Sequence, residues 1–210
     1  GGDDPEANAR LRMAIQSAKK NSVPKDVIER AISKATGADA VDYTEVVYEG
    51  YGSNGVAVIV EAATDNINRT VANVRSYFAK AGGSLGTNGS VAFMFERKGV
   101  FTLPTEGIDE EELTLAVIDA GAEDITQEDG YFTITCPFEE FGAVSEALEA
   151  AGYEPESSEL SRIPSTTVPL DAESAQKVLN MVERIEEDDD VQKVFHNLEL
   201  TDELAAQLAQ

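Results

Sequence analysis

Residues 48 to 60 read YEGYGSNGVAVIV, and Gly50, Gly52 and Gly55 have the spacing G-x-G-x-x-G. In a dinucleotide-binding fold that spacing lies between a strand and a helix, so that the helix N-terminus meets a pyrophosphate. Here the glycines lead into VAVIVEA, a β-branched run that reads as a buried strand. About twenty residues on, where a ribose would require an acid, stands Arg75. The glycines therefore read as a hairpin connection, with Ser53, Asn54 and Gly55 supplying positive φ. A second glycine-rich stretch, SLGTNGSVAFMFERKG, lacks the Lys-Ser/Thr ending of a phosphate-binding loop. It leads into a predicted strand, Val91 to Glu96, and reads as a flexible turn beside a sheet.

The other chemistry-bearing residues form no constellation. The single cysteine, Cys136, alternates with Phe132 and Ile134 and reads as a buried structural thiol. The single histidine, His196, falls in a predicted final strand and reads as structural or surface-lying. No zinc spacing occurs. The acidic run at 186–190 lacks the glycine and spaced oxygen ligands of a calcium loop and reads as a solvated helix end. Neither a catalytic residue nor a cofactor or metal site is expected, and the chain does not read as an enzyme.

The charge is more informative. With 16 basic and 40 acidic residues the chain carries −24. Residues 1–37 hold seven basic against five acidic residues, a net of +2, which leaves −26 on the rest. An acidic body repels phosphate backbones and anionic membranes. Nucleic-acid contact is therefore expected at Arg10, Arg12, Lys19, Lys20, Lys25 and Lys34, with Arg69 as a weaker candidate on a later helix. Lys25 with Glu29, and Asp26 with Arg30, are spaced to pair locally instead. No apolar run approaches the ~20 residues of a membrane span, and a lone cysteine fits a reducing, cytoplasmic setting.

These residues need elements to carry them. Helical spacing runs from Pro5 to Lys20, with Ala7, Leu11, Ala14, Ile15 and Ala18 on one face. A second helix starts near Pro24 and stops at Gly37, with Val27, Ile28, Ala31, Ile32 and Ala35 as its apolar face. Two such helices bury little alone, so an upstream helix or the rest of the chain is expected to complete them. After the hairpin, Thr64 or Asp65 caps a predicted helix ending at Gly82, with Ile67, Val71, Val74 and Phe78 as its stripe. Residues 99–163 then read β-α-β-β-α-β, the ferredoxin-like order. A short strand in STTVPL, a helix from Asp171 to about Glu187 and a strand in VQKVFHNLEL complete the pattern.

The fold class is α+β: a small N-terminal helical domain (1–40, incomplete), a discontinuous α/β domain (41–98 with 164–210), and an inserted ferredoxin-like domain (99–163).

Taken together, GGDDPEANARLRMAI, VPKDVIERAI, YEGYGSNGVAVIVEAATDNINRTVANVR and GGSLGTNGSVAFMFERKG resemble the YebC/PmpR family of probable transcriptional regulatory proteins, related to a mitochondrial translational activator. The resemblance implies a non-enzymatic regulator of gene expression with three domains around a cleft. Members usually carry a further lysine-rich N-terminal segment with a histidine-serine-lysine-tryptophan phrase, which these 210 residues lack. Three modes of action are open: the basic helices bind DNA; they meet ribosomal RNA while the acidic domains meet other partners; or the protein is an interaction module that touches no nucleic acid.

Overall fold

A computed structural model describes residues 3–5, 8–36 and 43–208, with 9, 10 and 13 described by backbone alone. It divides into two compact units, each discontinuous in sequence: Gly1–Val41 with Arg97–Ser161, and Asp42–Glu96 with Arg162–Gln210.

The second unit is built on a hairpin. Strand β1 (Thr44–Tyr51) pairs antiparallel with β2 (Ala57–Thr64), in register from Thr44 opposite Thr64 to Tyr51 opposite Ala57. A 3₁₀ turn over Ser53–Gly55 joins them, with Asn54 at φ 58° and Gly55 at φ 78°. Only these two of the three turn residues take positive φ. Gly50 serves close packing instead: a Cβ there would lie 2.6 Å from the carbonyl oxygen of Ser84. The glycine spacing thus belongs to a hairpin, as the following β-branched run demands.

The sheet order is β3-β1-β2-β8, with β3 at Ser84–Leu85 and β8 at Val191–His196. Strand β2 is central and buried on both faces. Val58, Val60 and Ala62 join a core with Val74 and Phe78 of α3 (Ile67–Lys80) and Val178, Met181 and Ile185 of α6 (Ala172–Glu186). Ala57 and Ile59 point to the other side, against Val91 and Phe95. This alternation explains why the strand reads as a continuous apolar run.

Several expectations fail here. The predicted strand 91–96 is a 3₁₀ turn (Ala92–Met94) followed by the start of a longer strand, β4 (Phe95–Pro104), and the fourth strand of this sheet is β3. The predicted strand in STTVPL is a single bridge, Val168 to Leu198. In α3 the cap is Asn66, not Thr64 or Asp65, and its side chain accepts from Arg69 N at 3.1 Å. The buried stripe is Thr70, Val74 and Phe78, while Ile67 is exposed.

In the first unit, helices α1 (Ala9–Lys20) and α2 (Lys25–Thr36) accompany a second antiparallel sheet. Its elements run β4, α4 (Glu110–Ile118), β5 (Asp124–Glu128), β6 (Tyr131–Pro137), α5 (Phe141–Ala150), β7 (Ser157–Pro164). The sheet order is β5-β6-β4-β7, so each helix crosses over one intervening strand. Asp109 caps α4, and Glu110, Glu111 and Glu112 occupy its first turn, where the helix dipole favours acids. Asp129 and Gly130, at φ 50° and 83°, make the tight β5–β6 turn. Phe101, Leu103, Leu113, Ile134, Val144 and Leu148 are fully buried with Cys136, whose thiol burial pushes its pKa up. A buried protonated sulfur is a packing group, not a nucleophile.

Among the described residues no helix is long and apolar enough to cross a membrane, and no cluster of His, Cys, Asp and Glu could hold a metal ion.

Candidate nucleic-acid interface

Helix α1 begins one turn later than its spacing predicts. Asn8 is the cap, its side chain accepting from Leu11 N at 3.2 Å, so Pro5 lies outside the helix. The helix ends at Asn21, and Ser22 turns the chain at φ 59°. Lys19 and Lys20 fall in its last turn, where cations oppose the negative end of the helix dipole. Pro24 precedes α2, Asp26 lies in its first turn and Lys34 in its last. No residue of α2 is buried: Ile28 and Ile32 are half-covered, and Val27, Ala31 and Ala35 are exposed. On α1, Leu11, Ile15 and Ala18 are half-buried and Ala14 is exposed. Ala7 and Gly37 lie outside the described residues.

The cations differ in what they already do. Lys25 pairs with Glu29 at 3.5 Å and Arg30 with Asp26 at 2.7 Å, the two local pairs the spacing allows. Both are exposed i,i+4 pairs, worth roughly 0.3–0.5 kcal/mol each, so a stronger anion can displace them. Lys20 donates its Nζ to the carbonyl oxygens of Pro155 and Glu156, tying the end of α1 to the segment before β7. Arg12, Lys19 and Lys34 make no ion pair among the described residues, and Lys19 and Lys34 are exposed. The side chain of Arg10 lies outside the described residues.

Arg69 has a different setting. Its guanidinium donates to Asp190 from Nε at 3.2 Å and from Nη2 at 2.8 Å, and to Asp65 at 2.7 Å. Thr70 Oγ1 donates to Asp190 at 2.7 Å, while Asn73 Nδ2 and Tyr77 Oη donate to Asp188 at 3.0 and 2.9 Å. The polar face of α3 is therefore a clasp on the turn between α6 and β8. This corrects the reading of 186–190 as a solvated helix end: Asp190 is buried and Asp188 partly so. Burial works to raise the Asp190 pKa, but hydrogen bonds from Thr70 and Arg69 and the Arg69 charge hold it below the ordinary carboxylate value.

The glycine-rich loop also departs from expectation. It is pinned, not a flexible turn. Glu49 is buried beneath it, accepting from the backbone N–H of Gly89 at 2.7 Å, Val91 at 2.9 Å and Ala92 at 2.8 Å. Burial would raise the Glu49 pKa, yet these donors, with the Arg162 charge, keep it low. The loop's amides converge on an anion, but the chain's own carboxylate fills the place. His196 ends β8, half-buried, and burial lowers its pKa. Neither the clasp nor the carboxylate under the loop follows from sequence reasoning. The only local signals are two acids set in or beside otherwise apolar strands.

A family model described as the TACO1/YebC second and third domain matches residues 43–198, and one described as the TACO1/YebC protein N-terminal domain matches residues 1–38. A "probable transcriptional regulatory protein" of Amoebophilus asiaticus is 54% identical over 200 residues, covering 94% of this chain and 82% of the relative. A protein of the same description from Fusobacterium nucleatum is 49% identical over 210 residues, covering 99% and 84%. The crystal structure of a conserved hypothetical protein from Aquifex aeolicus superposes with a TM-score of 0.83 at 44% identity, covering 96% of this chain and 84% of that one.

Proposed function

The chain belongs to the TACO1/YebC family, and from that premise we propose a non-enzymatic cytoplasmic regulator of gene expression that binds DNA through α1 and α2. One observation supports the site most. In a chain whose remainder carries −26, Arg12, Lys19 and Lys34 stand on a helix pair without an ion pair among the described residues. Arg10, Lys20 and Lys25 extend the set, and Arg69 has only what its two carboxylates leave. The relatives' description as probable transcriptional regulatory proteins supports DNA as the ligand. The three-part division into 1–40, 41–98 with 164–210, and 99–163 belongs to the same proposal, with α1 and α2 as the binding part. Neither a membrane nor a small-molecule substrate enters this reading.

The charge of the body favours a second reading. A surface so acidic suits a crowded ribonucleoprotein, where two basic helices meet ribosomal RNA and the acidic parts meet basic proteins, better than it suits lying along a duplex. Titrating mixed-sequence duplex DNA, and sedimenting the protein with ribosomes, each across a salt series, separates the two. Salt-sensitive duplex binding supports the first reading, and salt-sensitive co-sedimentation without duplex binding supports the second. Absence of both leaves a protein-interaction module and overturns the proposal.

A further inference from the structure

We infer that loop 86–94 is a second nucleic-acid contact, in which Phe93 stacks on an unpaired base of a single strand; this rests on the nucleic-acid reading above. Residues 81–95 are the longest stretch of the chain without an acidic or basic residue, in a protein of net charge −24. The one acid beneath the loop, Glu49, is buried, and its carboxylate is hydrogen-bonded by three backbone N–H groups. Two further bonds fix the loop from below: Gly86 N donates to Glu49 O at 2.8 Å, and Tyr51 Oη donates to Ser90 O at 3.3 Å. Val91 and Phe95 are buried on the sheet, whereas Phe93 between them is 73% exposed. Thr87, Asn88 and Gly89 are exposed beside it in sequence.

The combination is an uncharged loop with a pinned backbone and one exposed aromatic ring. Stacking on a base needs no charge, tolerates any base, and gains from a loop backbone that need not be ordered on binding. An uncharged loop also adds no repulsion of its own toward an incoming phosphate backbone. A protein hot spot sits in a well-packed pocket whose surrounding contacts exclude water. Within this loop Phe93 is the one large apolar residue that is exposed, and the loop's other exposed residues, Gly86, Thr87, Asn88 and Gly89, are small or polar.

The test uses the whole chain and a fluorescently labelled oligoadenylate RNA strand, with a mixed-sequence duplex in parallel. Phe93→Ala should weaken single-strand binding about 5- to 150-fold, the equivalent of one base stack, with an unchanged salt slope because the ring neutralises no phosphate. Phe93→Trp should keep the affinity. Its indole, alone in a chain without tryptophan, should be quenched as the strand binds. Unchanged binding by Phe93→Ala, or tryptophan emission that ignores a saturating strand, overturns the inference. If single-strand binding survives Phe93→Ala but is abolished in Arg12→Glu with Lys19→Glu, only the loop assignment falls. If the wild type binds neither RNA, DNA nor ribosomes, both readings fall together.

Discussion

Glu49 shows how one residue changes what a motif means. Glycine-rich loops bind anions because their backbone N–H groups converge, and here the anion is a side chain of the adjacent strand. Replacing Glu49 by Gln turns an amide NH₂ toward donors that need acceptors. Leaving one or two of them unsatisfied costs about 1–3 kcal/mol. Chemical denaturation should show that loss. Hydrogen exchange should show faster exchange at Gly89, Val91 and Ala92, with α5 and the second sheet unaffected. Unchanged protection at those amides would mean that the carboxylate does not hold the loop.

At the scale of elements, the clasp of α3 on the α6–β8 turn unites parts of the chain more than 110 residues apart. Because the folded-state pKa values of Asp190 and Glu49 lie below their ordinary values, each adds stability above the unfolded carboxylate value of about 4. That stability is lost as pH falls through the folded-state value. Asp190→Asn should therefore destabilise the protein at neutral pH by roughly 1–3 kcal/mol and flatten the decline in stability between about pH 5 and pH 2. Urea midpoints across that range check it, and a mutant with the wild-type pH slope would contradict it. The clasp also marks where sequence reading stops. Helices and strands follow from local spacing, so the hairpin, α3 and the β-α-β-β-α-β order are legible directly. The partners of Asp190 and Glu49 are set by tertiary packing, which no local period encodes. The same limit applies to residues 91–96: VAFMFE is apolar enough for a strand, but Val91 and Phe95 bury against β2 while a 3₁₀ turn lies between them. The cap of α3 is ambiguous in sequence because Thr64, Asp65 and Asn66 are all good caps, and only the Asn66 bond to Arg69 N decides among them.

At the scale of the whole molecule, charge separates the proposed binding part from the rest. Residues 1–37 carry +2 and the remainder −26, so uniform electrostatics would predict repulsion from any nucleic acid, and binding must be local. The candidate interface is legible in the sequence as composition, because net charge can be counted without a fold. Spacing also gives the local pairs of Lys25 and Arg30, but the long-range partners of the other cations are not legible there: Lys20 reaches backbone carbonyls at 155 and 156, and Arg69 reaches Asp190. The most direct test of the central claim is a charge reversal matched for net charge. Arg12→Glu with Lys19→Glu is compared with Lys177→Glu with Arg184→Glu on α6, measuring DNA and ribosome binding over a salt series. The first pair should weaken binding by about tenfold or more at low salt and flatten the salt slope by about 0.7–0.9 for each phosphate no longer neutralised, while the α6 pair leaves both nearly unchanged. Equal weakening by the two pairs would show that only total charge matters and would contradict a binding site on α1 and α2.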